Sequence, residues 1–185
     1  YEKSLSRINF LFEKNNLNDQ IEIINSSKTP KISTMFERIN WKDINKGIPV
    51  NFHGDLQFDN VLYGSGKFYY IDWRDSFGSS IDSGDVYYDL AKLNGGILMP
   101  YNLMKFEKNI VFNENNNHIN FSYKNIEEMD KILNYFKEKL SENNFDYKLV
   151  IKLSALIYIN MAPLHDEKFG KVLWFKGLEQ LNKND

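Results

Sequence analysis

The stretch that decides the fold is HGDLQFDN, at residues 53–60, taken together with IDWRDSFG, at residues 71–78. β-branched and aromatic residues flank both strings, which predicts short strands over 50–52, 60–63 and 67–72. A Gly-Ser-Gly turn joins the last two runs, so we expect them to pair as a hairpin. Small strands with Asp-rich loops, set in an otherwise helical chain, predict an α+β fold.

The first string has the spacing of the kinase catalytic loop, H-x-D-L-x-x-x-N, and the second places an Asp after a hairpin, as the kinase D-F-G motif does. Transfer of a γ-phosphoryl group needs a carboxylate that orients the attacking hydroxyl and a divalent metal that spreads charge. Asp55 suits the first task. Asn60 and Asp72 offer the hard oxygen ligands that Mg²⁺ prefers. Asp72 also follows an apolar strand, where burial of a carboxylate without a task would be costly.

Together with GDVYYDLAKL at residues 84–93, these strings resemble the C-terminal lobe of the aminoglycoside phosphotransferase and choline kinase-like family, over residues 51–93. The resemblance implies a mainly helical, protein kinase-like C-terminal lobe with small β-hairpins. It implies that Asp55 is the catalytic base and that Asn60 and Asp72 bind Mg²⁺ and, through it, the co-substrate ATP or GTP. It also implies a small hydroxyl acceptor rather than a protein. The second string is similar to members associated with surface-polysaccharide synthesis.

Two further residues are predicted to support the site structurally. His53 is interpreted as a residue that fixes the loop by hydrogen bonds. In the G-D-x-x-x-D-L-A string of the family, the second Asp usually braces the catalytic loop, so the resemblance implies that role for Asp89. Gly54 stands where protein kinases have Arg, as it does throughout the motif of the family.

The candidate contacts to the acceptor are Asp75, Asp85 and His165. Asp75 and Asp85, with Asp82, would form an acidic pocket suited to an amino-bearing or quaternary-amine compound. Solvated loop charge is the simpler role for these carboxylates, and Asp85 also suits a helix N-cap. His165 would approach the acceptor cleft from the end of a helix, where stabilisation by the helix dipole is the simpler role. A sugar or other surface-glycan precursor, choline and an aminoglycoside are all candidate acceptors.

We expect the whole chain, 1–185, to form this lobe. It would comprise a helical lead-in over 1–48, the catalytic and metal-binding motifs over 49–93, and a hairpin and helical substrate-side subdomain over 94–185. Apolar residues at helical spacing predict helices over about 1–16, 33–44, 84–94, 125–142, 147–162 and 168–183, with a stop at Gly95-Gly96. A second hairpin is predicted over about 110–121, and residues 21–25 are either a short strand or an extended link.

The amino-acid composition argues against several kinds of chemistry and of binding partner. The formal net charge of −2 lacks the basic excess typical of nucleic-acid binders, so no nucleic-acid partner is expected. The absence of Cys excludes disulfides, thiolate metal sites and thiol nucleophiles. No run approaches the ~18 uninterrupted apolar residues typical of a membrane span, and the first residues do not have the pattern of a signal peptide. We therefore expect a cytoplasmic protein with no membrane partner.

The motifs of a kinase nucleotide-binding lobe are not found in the sequence. No Gly-rich phosphate loop and no strand-borne Lys paired with a helical Glu can be identified, and residues 1–50 are too short and too helical for an N-terminal lobe. Since the first residue is Tyr rather than Met, we expect a fragment whose nucleotide-binding lobe is absent and which is inactive alone. A pseudokinase-like ligand-binding module and a metal-dependent hydrolase are the alternative functions.

Overall fold

The computed structural model describes residues 1–104, 106–125 and 127–184. Helices make up 53% and strands 18% of the chain, and the sheets are small, which confirms the α+β prediction. The helices are α1 (Glu2–Asn15), α2 (Ile32–Arg38), α3 (Trp41–Ile44), α4 (Val86–Leu98), α5 (Tyr101–Met104), α6 (Met129–Glu142), α7 (Tyr147–Met161) and α8 (Glu167–Lys183). The strands are β1 (Glu22–Ile24), β2 (Ser27–Thr29), β3 (Pro49–Val50), β4 (Val61–Gly64), β5 (Lys67–Tyr70), β6 (Gly84–Asp85), β7 (Ile110–Asn115) and β8 (His118–Tyr123).

Two compact units make up the fold, and neither is continuous in sequence. Unit 1 contains Tyr1–Trp41, Tyr101–Asn125 and Ala155–Asp185, and unit 2 contains Lys42–Pro100 and Ile126–Ser154. The sequential division into 1–48, 49–93 and 94–185 stays a prediction, and its last residue, Asp185, lies outside the described residues. All of the motif residues from His53 to Lys92 belong to unit 2.

Unit 1 is built around a four-stranded sheet in the order β2-β1-β8-β7. Both hairpins are antiparallel, whereas β1 and β8 pair in parallel. Residues 21–25 therefore contain a strand, and the predicted hairpin over 110–121 is confirmed with Phe112 opposite Phe121. The ring of Phe112 packs 5.9 Å from that of Phe175 on α8. Burial of this sheet face against α8 supplies apolar stabilisation of the unit.

Unit 2 joins two small β-ribbons to a helical core. The ribbon β4–β5 is antiparallel and turns through residues 64–66, as predicted, with Ser65 and Gly66 both at positive φ. The other ribbon pairs β3 with β6. The core is formed by apolar side chains of α4, α6 and the start of α7, namely Tyr87, Ile97, Met129, Phe136, Leu140 and Val150. Since α4 carries both core and motif residues, core packing holds it beside the motif loops.

Helix α4 continues past the predicted stop. It runs through Gly95-Gly96 to Leu98, so the predicted C-terminus at 94 is wrong. A Cβ on Gly96 would lie 3.2 Å from the ring of Phe58, tighter than an ordinary contact. A glycine there allows close packing against the motif loop, at the modest cost of Gly within a helix.

The helix predicted over 33–44 is in fact two short helices, α2 and α3. Ile39 interrupts them with an extended backbone (φ −67°, ψ 125°), which lets its side chain stay buried. The indole N–H of Trp41 then donates to the carbonyl of Phe36 at 3.0 Å, satisfying one acceptor at the end of α2. The helix predicted over 125–142 begins at Met129, and Ile126, which was included in it, lies outside the described residues.

One segment among the described residues, Tyr147–Leu164, is long and apolar enough to cross a membrane, with a mean hydropathy of 1.2. Of this segment, 56% is buried within the structure. A core helix has the same length and composition, so the expectation of no membrane partner stays a prediction.

Candidate functional site

The second residue of the loop over 53–60 is a glycine that no other residue could replace without movement of its neighbours. Gly54 has φ +81°, a left-handed conformation that disfavours side chains. A Cβ at this position would lie 2.6 Å from Cβ of Arg74 and 2.9 Å from the ring of Phe52. The loop and the segment after β5 can therefore approach each other closely only because residue 54 is glycine.

The carboxylate of Asp89 holds the start of this loop. It accepts hydrogen bonds from the backbone N–H of His53 at 2.7 Å and of Gly54 at 2.8 Å, all within the buried interior. Asp89 lies one turn into α4, whose N-cap is Asp85. A buried carboxylate that accepts two amide hydrogen bonds strongly favours one loop conformation. These are the contacts that the predicted bracing role of Asp89 requires.

Asp55 is buried between two cations. Its Oδ1 lies 2.7 Å from Nζ of Lys92, and its Oδ2 accepts a hydrogen bond from Nη2 of Arg74 at 2.9 Å. Burial alone would raise the pKa of the Asp55 carboxyl, but these two partners outweigh burial and hold the pKa below its ordinary value. Asp55 is therefore a carboxylate at neutral pH.

His53 turns its ring back onto the loop. Its Nδ1 accepts a hydrogen bond from the backbone N–H of Asp55 at 3.2 Å, and its ring stacks on that of Trp73 with centroids 4.8 Å apart. An imidazole nitrogen that accepts a hydrogen bond carries no proton, so the neutral ring has its N–H at Nε2. Nε2 is buried and has no hydrogen-bond partner among the described residues. The contact to Asp55 is the kind of hydrogen bond that the structural interpretation of His53 predicts.

Asn60 closes the same loop. Its side-chain Nδ2 donates to the backbone carbonyl of Asp55 at 2.9 Å, and the residue is buried. Because a carbonyl can only accept a hydrogen bond, the amide nitrogen must face it. This leaves Oδ1 as the side-chain atom that can coordinate a cation. The backbone carbonyl of Asn60 also accepts from the N–H of Ile71 at 3.0 Å, which brings Asn60 next to the backbone that carries Asp72.

Asp72 differs from expectation in one respect. It is exposed, as is all of β5 before it, so the argument that burial would be costly was wrong. The reason is that, among the described residues, β5 pairs with no strand other than β4 and lies exposed along its whole length. Asp72 has φ 59°, a conformation that Asp tolerates better than most residues. Asn60 and Asp72 thus offer one amide oxygen and one carboxylate, a donor set that fits Mg²⁺ with phosphate and water completing its shell.

The candidate acceptor contacts differ in their local surroundings. Asp75 is exposed, whereas Oδ1 of Asp85 accepts from the backbone N–H of Tyr87 at 3.0 Å and of Ile48 at 3.1 Å. Asp85 thus caps α4, which is the simpler role considered for it. His165 belongs to unit 1, where its ring packs 4.7 Å from that of Phe169 and its carbonyl accepts from Lys14 at 2.6 Å.

Lys92 and Arg74 are the site residues that sequence reasoning missed. Lys92 lies three residues after Asp89, so both side chains project from the same side of α4. That spacing was a usable signal, although a lone Lys on an amphipathic helix usually points to solvent. Arg74 stood within the quoted string, but nothing local assigned it to Asp55, which is nineteen positions earlier.

The described residues contain no cluster of three or more His, Cys, Asp or Glu side chains suited to hold a metal ion. The Asn60 and Asp72 pair falls below that number and relies on other ligands. Comparison with known proteins finds no matching family model, no matching curated protein and no matching solved structure. The function must therefore be argued from the site itself.

Proposed function

We propose that this chain is the catalytic lobe of a small-molecule kinase of the aminoglycoside phosphotransferase and choline kinase-like type, which transfers the γ-phosphoryl group of ATP or GTP to a hydroxyl acceptor. The observation that carries the proposal is the ionised, buried Asp55 on a loop held by Asp89. A carboxylate kept charged inside a protein by two cations is costly to assemble, and such groups concentrate at functional sites.

In this mechanism Asp55 orients the acceptor hydroxyl and takes its proton. The oxygen of the acceptor forms a bond to the γ-phosphorus while the bond to the β–γ bridging oxygen breaks, and the nucleoside diphosphate leaves with the electron pair. Because the transition state is largely dissociative, positioning contributes more than basicity. The low pKa of Asp55 is compatible with that role, since the group is ionised at neutral pH and a carboxylate can accept the proton of a hydroxyl.

Asn60 Oδ1 and the Asp72 carboxylate would hold Mg²⁺. When bound, Mg²⁺ neutralises charge on the β- and γ-phosphates. The contribution of the chain is to keep these oxygens in place, and the hydrogen bond from Asn60 to the Asp55 carbonyl does this on the loop side. The link from Ile71 to the Asn60 carbonyl does it on the side of Asp72.

The proposal requires a nucleotide-binding lobe from the same protein, because the sequence contains no Gly-rich phosphate loop. It places the enzyme in the cytoplasm, where ATP and GTP are found. The acceptor is a sugar or another surface-glycan precursor, choline or an aminoglycoside. The commitment of Asp85 to two backbone amides weakens the case for an acidic pocket that would select an amine.

The decisive experiment is an acceptor screen with γ-labelled ATP and GTP, on a protein in which this chain is joined to its nucleotide-binding lobe. Asp55→Ala should lower kcat by about 10²–10⁴-fold, the usual contribution of a positioned acid or base. Asp59→Ala is the matched control, because Asp59 is an exposed carboxylate of the same loop. Turnover by Asp55→Ala equal to that of the wild type would contradict the proposal.

One observation favours the alternative, a pseudokinase-like module that binds a ligand without chemistry. Both carboxylate oxygens of Asp55 already have a cationic partner, so no oxygen is fully available to a hydroxyl. Titration of the same protein with Mg²⁺-nucleotide separates the two functions. Binding of nucleotide without transfer to any acceptor supports the module, whereas labelled product supports the kinase.

A further inference from the structure

The two counter-ions of Asp55 differ sharply in exposure. The side chain of Lys92 is 9% exposed, on a helix whose other face packs in the core of unit 2. The side chain of Arg74 is 58% exposed, on the segment that follows β5. A buried ammonium without its carboxylate would be strongly unfavourable, whereas an exposed guanidinium is solvated when it leaves. Only Arg74 can leave Asp55 at low cost.

The backbone and the stem of Arg74 are nevertheless held firmly. Its backbone N–H donates to the carbonyl of His53 at 2.9 Å, and its Cβ packs against Gly54 so closely that a methyl group there would not fit. The guanidinium donates to Asp55 through Nη2, and the negative charge of Asp72 also acts on it. Because the backbone and Cβ are held, movement of Arg74 away from Asp55 is confined to its exposed side chain.

Departure of Arg74 would not leave a bare charge behind. Lys92 stays 2.7 Å from Oδ1, so the carboxylate keeps one buried partner. The vacated Oδ2 is then the oxygen that can accept a hydrogen bond from a substrate hydroxyl. Arg74 is also two residues from Asp72, the proposed ligand for the metal on the phosphate side. Its guanidinium therefore contacts the residue proposed to face the acceptor, and it is close in sequence to the residue proposed to face the phosphates.

We infer that Arg74 is an exchangeable counter-ion and a catalytic residue. It moves away from Oδ2 of Asp55, which then accepts a hydrogen bond from the acceptor hydroxyl, and it binds the transferring phosphoryl group. This inference rests on the proposed function. The O–H bond of the acceptor breaks with its proton going to Asp55. The new bond joins the acceptor oxygen to the γ-phosphorus, and the nucleoside diphosphate departs with the electrons of the broken bond. The guanidinium offers planar paired N–H groups to the phosphoryl oxygens, a geometry for which Arg is well suited.

Binding of inorganic phosphate to the 185-residue chain tests the exchange without any turnover. The chain contains three arginines, at positions 7, 38 and 74, so the side-chain Nε–H signals of ¹⁵N-arginine can be assigned by single substitutions. Phosphate should shift the Arg74 signal, and Arg74→Gln should abolish this binding. Arg7→Gln is the matched control and should leave it unchanged.

Competition between phosphate and Asp55 gives the sharper readout. Asp55→Asn removes the carboxylate that holds Arg74, so the affinity for phosphate should rise about tenfold, the typical effect of losing one charge-assisted hydrogen bond. The double variant Asp55→Asn/Arg74→Gln should lose this gain. Unchanged phosphate binding in Arg74→Gln, or an unchanged affinity in Asp55→Asn, overturns the exchange.

Kinetics of the protein in which this chain is joined to its nucleotide-binding lobe then distinguish failure of the inference from failure of the proposed function. Arg74→Gln should lower kcat about 10²–10³-fold with little change in the KM for the acceptor, and Arg74→Lys should recover part of the loss. A wild-type protein that phosphorylates no acceptor, while its chain binds phosphate through Arg74, overturns the kinase and supports the exchange. Full turnover by Arg74→Gln overturns the catalytic role of Arg74 and leaves the kinase standing.

Discussion

Nζ of Lys92 lies 2.7 Å from Oδ1 of Asp55, and both side chains are less than a tenth exposed. A buried ion pair of this kind is weak support for stability, because desolvation offsets most of the attraction. The proposed function gives a reason, other than stability, for a charged Asp55 at this buried position. The pair also ties α4 to the loop over 53–60, so the helix that packs in the core fixes the position of the carboxylate.

Loss of Lys92 should destabilise the protein more than loss of the whole pair. Lys92→Met leaves Asp55 buried with Arg74 as its counter-ion, and we expect the free energy of unfolding to fall by about 3 kcal/mol. Lys92→Met/Asp55→Asn removes the charge as well and should recover much of that loss. Urea unfolding of the three proteins measures both effects. A double variant no more stable than Lys92→Met would contradict the prediction.

Gly54→Ala should lower the free energy of unfolding by more than the strain of a left-handed conformation alone. The added methyl group meets Cβ of Arg74 at 2.6 Å, so overpacking adds to backbone strain and we expect a loss of about 3 kcal/mol. Gly66→Ala is the matched control, with φ +74° and no atom within 4 Å of the added group. Thermal unfolding of the two variants isolates the packing contribution. Equal losses would mean that the loop can move away from Arg74.

Asp89→Asn should loosen the start of the loop over 53–60. Its two carboxylate oxygens accept from His53 and Gly54, and an amide can satisfy only one of these N–H groups. We expect a loss of about 1–3 kcal/mol and faster hydrogen exchange at both amides. Asp82→Asn, at an exposed position of unit 2, is the control and should change neither. Protection of both amides that survives in Asp89→Asn would rule out the bracing role.

Glu22 should make the protein less stable as the pH rises. Burial raises the pKa of the Glu22 carboxyl, nearby Glu114 raises it further, and the hydrogen bond from Gln20 only partly opposes them. The folded-state pKa thus exceeds the unfolded value of about 4.3, so stability is lost as the pH rises through the folded pKa. Glu22→Gln should therefore be more stable than the wild type at pH 7, and the difference should vanish in acid.

A second buried glutamate of unit 1 serves as the control for that experiment. Burial opposes ionisation of Glu179 as well, but Lys176 and Lys183, each 3.0 Å away, hold its pKa below the ordinary value. Its contribution to stability is present above the unfolded pKa and is lost as the pH falls through the folded pKa. Glu179→Gln should therefore be less stable than the wild type at pH 7. Unfolding curves between pH 4 and 7 that move in the same direction for both variants would contradict the assignment.

Local signals predicted much of the secondary structure and part of the site. The Gly-Ser-Gly turn predicted the β4–β5 ribbon because two consecutive residues at positive φ suit a tight hairpin. Asp85 could be considered as an N-cap because Asp before an apolar helix accepts from the first amides. The break at Ile39 could not be predicted, since it depends on the burial of that side chain within unit 1 and not on a Gly or Pro.

The amino-acid sequence alone determined which chemistry is available: the oxygens of Asp55, Asn60 and Asp72 at a fixed spacing, with no thiol anywhere in the chain. Only the tertiary structure decided which charges meet. It placed Lys92 and Arg74 on Asp55 and left Asp72 exposed. The physical reason is that periodicity reports the face on which a residue lies, whereas burial and ion pairing depend on what packs against that face.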